Sequence, residues 1–176
     1  ADAAQRGSVA APTAGLHFTP ELLEALKKQG VERLDVTLHV GPGTFKPVSA
    51  ATLDGHEMHR EWYHVPAETL AALRGARGGR TIAVGTTSVR TLESLPADLG
   101  EVPAAGVSAE TELMIAPGYA WKHVDGMLTN FHLPRSTLLA LVAGMLGLDR
   151  TMSLYEEAVA QGYRFYSYGD AMLILP

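Results

Sequence analysis

The chain has 176 residues, 47% hydrophobic and 19% charged, a balance that builds a folded core and excludes a disordered segment. It has no cysteine, which excludes a disulfide framework, a thiolate metal site and a thiol nucleophile. A formal net charge of -5 argues against holding nucleic acid by bulk charge, while leaving room for a local basic groove.

Residues 1–6 show no clear pattern, and no signal-peptide arrangement appears at the start. Thr19-Pro20-Glu21 predicts a helix start: a hydroxyl cap, proline at the first position, an acid in the first turn. Leu22, Leu23 and Leu26 give that helix an apolar stripe and Gly30 stops it. Residues 33–40 predict a strand with Leu34, Val36, Leu38 and Val40 on one face, turning at Gly41-Pro42-Gly43. A strand over 57–65 and a helix over 66–73 follow. Residues 81–84 read as a short buried strand, with a helix after it carried by Val89, Leu92 and Leu95. Residues 99–108 read as a loop, and 113–115 and 126–129 as strands around the Pro117-Gly118 turn. Residues 134–148 form a strongly apolar helix whose longest apolar run is too short to span a bilayer. Ser153 and Glu156 predict a capping box for a helix closed by Gly162, and 171–175 a central apolar strand. Alternating strands and helices imply one α/β domain over 1–176, a mixed sheet with helices packed on it.

Polar and glycine-bearing segments sit at the predicted element ends, where binding groups gather. Thr13 and Gly15 lie in a small-residue loop before the first helix, whose N-terminus favours an anion. His39 precedes the turn Gly41, Gly43, Thr44 and Phe45, and an imidazole there can act as acid or base. His56, Glu57, His59 and Glu61 crowd six residues and raise a metal-dependent hydrolase as one reading. The histidines are three apart, not the i, i+4 pair of zinc proteases. Gly85, Thr86, Thr87, Ser88 and Arg90 open a helix after a strand, as in phosphate or carboxylate sites, without the P-loop signature. Asn130, Phe131 and His132 combine an amide, an aromatic and a proton carrier, and Arg164, Phe165, Tyr168 and Asp170 close the series. Each segment also reads as an ordinary turn, cap or core feature. Together they reach an α/β enzyme whose polar cleft takes an anion and a planar base.

Six segments taken in order carry a family resemblance: 9–18 (Val-Ala-Ala-Pro-Thr-Ala-Gly-Leu-His-Phe), 37–45 (Thr-Leu-His-Val-Gly-Pro-Gly-Thr-Phe), 56–61, 83–90, 129–136 and 163–172. They resemble the S-adenosylmethionine:tRNA ribosyltransferase-isomerases of queuosine biosynthesis, and specifically their C-terminal half. The N-terminal part of that family, with its Asn-Asn-Thr-Arg segment and small β-barrel region, has no counterpart here.

The resemblance implies a cytoplasmic enzyme, with no membrane association, that moves the ribosyl group of S-adenosylmethionine onto 7-aminomethyl-7-deazaguanine at the tRNA wobble position. The product is epoxyqueuosine, with adenine and methionine released. S-adenosylmethionine is a consumed cosubstrate, and neither a cofactor nor a metal is expected. The expected partners are the tRNA and the N-terminal part of the same enzyme. On this reading His17, His39, His59 and His132 are the candidate proton carriers. Thr86, Thr87, Ser88 and Arg90 hold a carboxylate or phosphate, and Phe131, Phe165 and Tyr168 stack on bases. Asp170 pairs with the sulfonium or the substrate amine. Thr13, Gly15, Gly41, Gly43, Thr44, Phe45, Glu61, Gly85, Asn130 and Arg164 complete the expected substrate site. A non-catalytic remnant that keeps the fold is the competing reading. Arg74, Arg77 and Arg80, and Lys27-Lys28, are the basic clusters available to tRNA, which this acidic chain alone is expected to bind weakly and salt-sensitively.

Overall fold

A computed structural model describes residues 8, 11–41, 58–75 and 78–175. Gly43, Thr44, Phe45, His56, Glu57 and Arg77 lie outside the described residues. A short 3-10 helix (Thr13–His17) precedes α1 (Pro20–Lys28), β1 (Thr37–Leu38), β2 (Glu61–Val65), α2 (Ala67–Gly75) and β3 (Ile82–Val84). Then come α3 (Thr86–Glu93), β4 (Val107–Thr111), β5 (Gly126–Asn130), α4 (Thr137–Leu146), α5 (Leu148–Ala160) and β6 (Ala171–Ile174).

The class is α/β, and the strands divide into two three-stranded sheets, β1-β2-β4 and β3-β5-β6. The first is antiparallel throughout, with Leu38 opposite Tyr63 and Tyr63 opposite Ala109. Strand β2 alternates: Glu61, Tyr63 and Val65 point inward, while Trp62 and His64 lie half-buried on the other face. In the second sheet β3 runs parallel to β5, and β6 pairs antiparallel with β5. Helix α3 packs against β1, β2, β3 and β5, so it joins the two sheets. That position explains why its polar residues Thr86, Arg90, Thr91 and Glu93 are buried along with Val89 and Leu92. Val65, Val89, Leu95, Ile115, Met127, Leu141 and Val142 fill the core around it. Each such buried side chain contributes about 1.5–3 kcal/mol by leaving water.

Helix α1 starts as expected: the Thr19 hydroxyl accepts the Leu22 N–H at 3.2 Å, with Pro20 next to it. Elsewhere tertiary structure overrides the local pattern. Of the strand expected over 33–40, only Thr37 and Leu38 form ladder pairs with β2, and the His39 N–H still donates to the Trp62 carbonyl at 2.8 Å. Residues 113–115 are not a strand, and the Leu113 carbonyl accepts Arg90 Nε at 3.0 Å instead of joining a ladder. The fourth strand falls at Val107–Thr111, partly inside the expected loop, with Ser108 and Glu110 outward. The apolar helix starts at Thr137, capped by Ser136, and ends at Gly147, where the chain bends by 114° into α5. Ser153 therefore lies inside α5 rather than capping it. Strand β6 is an edge strand rather than a central one, and Leu173 on it is exposed. Among the described residues no single helix is long and apolar enough to cross a membrane.

Candidate active site

One cleft gathers the 3-10 helix, the inward face of β1, the β3–α3 turn and the end of β5. It is shallow and open to solvent on one side. Ala14, Leu38, Val40 and Leu138 supply apolar wall, and Thr13, Thr86, Thr87, Arg90, Asn130 and His132 supply polar groups.

Gly85 makes the turn into α3 with φ +87, a left-handed value that suits glycine. Its N–H donates to the Leu128 carbonyl at 2.8 Å, tying the turn to β5. Among the described residues no side chain caps α3. Thr86 and Thr87, in its first turn, line the cleft, where the helix dipole favours an anion. The Ser88 hydroxyl is committed elsewhere, donating to the Val84 carbonyl at 2.9 Å.

Four residues on, Arg90 is buried and paired through Nη1 with the fully buried Glu61 carboxylate. The other Glu61 oxygen accepts the Gly41 N–H at 2.8 Å. Arg90 Nη2 is buried and has no hydrogen-bond partner among the described residues. Glu61, expected among the substrate-binding residues, is fully buried and braces β2, α3 and the start of the Gly41 turn.

At the end of β5, Asn130 holds three segments together. Its Oδ1 accepts the Thr13 hydroxyl at 3.2 Å, and its Nδ2 donates to the Gly169 carbonyl at 3.4 Å and faces His17 Nε2 at 3.2 Å. A carbonyl only accepts, so the amide nitrogen is on the Gly169 and His17 side. His132 Nε2 bonds the Thr129 hydroxyl at 2.8 Å, and the His132 backbone N–H donates to the Tyr155 hydroxyl at 3.1 Å. Burial pushes the His132 imidazole down from 6.5 to about 4, so it is neutral near pH 7.

Other expected residues lie elsewhere. His39 follows Leu38 on the opposite face of the sheet, where it packs against Trp62 with ring centroids 4.6 Å apart and the rings tilted by 44°. His59 is exposed outside the cleft. Among the described residues no three acidic or imidazole side chains converge on a metal position. Phe131 is only 5% exposed and packs on Tyr155, Tyr163 and Phe165, so Phe131 and Phe165 serve the core rather than base stacking. Asp170 bonds Arg164 at 2.9 Å through the guanidinium and 2.7 Å through the N–H. The Arg164 side chain, then its backbone N–H, hold the Asp170 carboxyl below the usual range, so it already has its cation. Gly15 is exposed within the 3-10 helix, and Tyr168 is 86% exposed outside the cleft.

Tyr155 and Glu93 lie outside every segment that the sequence pattern singles out, whereas Thr129, Tyr166 and Ser167 fall inside two of them. The fully buried Glu93 carboxylate accepts the N–H groups of Lys122, His123 and Val124 at 3.0, 2.9 and 2.9 Å and the Tyr119 hydroxyl at 3.1 Å. Burial first, and the Glu93 charge second, push the Tyr119 phenol up to about 12. The signal for Glu93 was its spacing: it follows the apolar Val89 by four residues, on the buried face.

Residues 2–174 match the model of a family described as queuosine biosynthesis protein. The chain is 56% identical over 176 residues to an S-adenosylmethionine:tRNA ribosyltransferase-isomerase of Gloeobacter violaceus, covering 99% of this chain and 49% of that protein. A protein of the same name from Thermotoga maritima is 55% identical over 175 residues, covering 98% of this chain and 51% of that one. The crystal structure of S-adenosylmethionine tRNA ribosyltransferase from Thermotoga maritima superposes with a TM-score of 0.74 at 49% identity, over 93% of this chain and 51% of that chain. The chain spans about half the length of the curated relatives it matches.

Proposed function

The chain belongs to the queuosine biosynthesis protein family, and on that premise we propose that its cleft is the nucleoside site of an S-adenosylmethionine:tRNA ribosyltransferase-isomerase. The proposed reaction moves the ribosyl group of S-adenosylmethionine onto 7-aminomethyl-7-deazaguanine at the tRNA wobble position. The ribosyl group is isomerised to the epoxycyclopentanediol of epoxyqueuosine, and adenine and methionine leave. Both substrates are soluble, and the proposed compartment is the cytoplasm. The remaining length of the enzyme is the proposed partner of this half.

The chemistry asks for one base and one acid. The positive sulfonium acidifies the adjacent C5′ protons, and a neutral imidazole in the cleft can take one. His132, neutral because it is buried, fits that base. His17, exposed and outside the cleft lining but 3.2 Å from the Asn130 amide that borders it, is the proposed donor to the departing adenine nitrogen. The open first turn of α3, with Arg90 beneath it, fits the methionine carboxylate or an RNA phosphate.

The observation that carries this reading is the meeting of the Thr86–Thr87 turn and His132 in one cleft. Full-length protein incubated with S-adenosylmethionine and tRNA bearing the precursor base tests it. Equimolar adenine release and mass gain on the tRNA are expected. A folded protein that yields neither overturns the reading in favour of a non-catalytic remnant.

A further inference from the structure

Tyr166 has φ +76, in the left-handed region that bulky residues rarely occupy. Its surroundings hold it there. Its N–H donates to the Phe131 carbonyl at 2.9 Å, and its carbonyl accepts the Gly169 N–H at 3.0 Å. The turn is closed below by the Asp170 N–H on the Arg164 carbonyl at 2.8 Å and by the Arg164–Asp170 ion pair. A Cβ on Gly169 would overlap the Arg164 carbonyl, so no other residue fits that position. Backbone strain that is over-determined in this way concentrates at functional sites.

The strain does not serve packing. Phe165 turns its ring onto Phe131, with centroids 5.2 Å apart, whereas the Tyr166 ring remains 53% exposed and borders the cleft. The turn therefore holds one flat amphipathic face at the rim, where its ring offers a π surface.

We propose that Tyr166 is the stacking face for a planar purine-type base at the mouth of the cleft. This rests on the nucleoside reading of that cleft. Two sources present the same chemistry: the adenine of the sulfonium cosubstrate and the deazaguanine of the RNA.

Calorimetric titration of full-length Tyr166→Phe, Tyr166→Ala and Tyr166→Gly separates the sources, with S-adenosylmethionine in one arm and an anticodon stem-loop carrying the precursor base in the other. Tyr166→Phe keeps wild-type affinity. Tyr166→Ala and Tyr166→Gly weaken one arm about tenfold, the size of one lost stack. Glycine also relaxes the backbone, so its Tm stays at or above that of wild type. Loss in the first arm assigns adenine, and loss in the second assigns the RNA base. Unchanged affinity in both arms, or loss that comes with a lower Tm in Tyr166→Gly, overturns the proposal. These are binding measurements, so failure of adenine release in wild type would refute the reaction and still leave the stacking result readable.

Discussion

The Glu61 carboxylate and the Arg90 guanidinium pair out of reach of water, with the Gly41 N–H on the second oxygen of one and the Leu113 carbonyl on the Nε of the other. Two desolvated charges are stable only while both are present. Glu61→Leu and Arg90→Leu are each expected to lower unfolding free energy by about 3–5 kcal/mol. A Glu61→Leu, Arg90→Leu double variant should lose less than the sum of its two singles. Urea unfolding of the full-length protein measures this, and additive losses would show that the pair does not act as one unit.

Stability should fall with acid through His132. Its folded pKa of about 4 lies below the ordinary 6.5, so on acidification the unfolded chain takes the proton first. This contribution is complete above about pH 6.5 and is lost as pH falls toward 4, by about 3 kcal/mol in all. His132→Gln should lack that loss. Urea midpoints at pH 7 and pH 5 compare the two, and parallel curves would contradict the burial argument.

Gly85→Ala tests the anion turn. The added methyl has room, 3.7 Å from Ala14 Cβ, so its cost is conformational. At φ +87 an L-residue costs about 1–2 kcal/mol, and the turn should shift to relieve it. The expected result is a KM for S-adenosylmethionine raised by about tenfold with a smaller change in kcat. An unchanged KM would remove the α3 N-terminus from substrate binding.

Glu93→Gln places an amide nitrogen against N–H donors that now meet a carboxylate. Three charge-assisted bonds are weakened or broken, and a loss of about 2–4 kcal/mol is expected. Tyr119→Phe removes one hydroxyl donor and should cost about 1 kcal/mol. Thermal unfolding ranks them, and a larger loss for Tyr119→Phe would show that the ring packing matters more than the carboxylate.

The sequence showed most clearly what is local. The Thr19 cap, the β3 strand and the threonine-rich opening of α3 each follow from neighbouring residues. Strand β4 escaped because its inward residues, Val107, Ala109 and Thr111, are too mixed to read as an apolar face. The α4–α5 bend escaped because Gly147 lies in an apolar run that suits one continuous helix. For His39 the necessary information was present: alternation that places Leu38 and Val40 inward places His39 outward. The roles of Asn130 and Glu61 depended on segments 117 and 20 residues distant, which no local pattern encodes.

The central claim is that chemistry belongs to the cleft with Thr86 and His132, not to the sheet face with His39 or the surface with His59. Adenine release by full-length His132→Gln, His39→Gln and His59→Gln tests it directly. The account predicts a fall of at least about hundredfold for His132→Gln, the range of a lost general base, and rates within about threefold of wild type for the other two. A wild-type rate in His132→Gln, or a collapse confined to His39→Gln or His59→Gln, would contradict it.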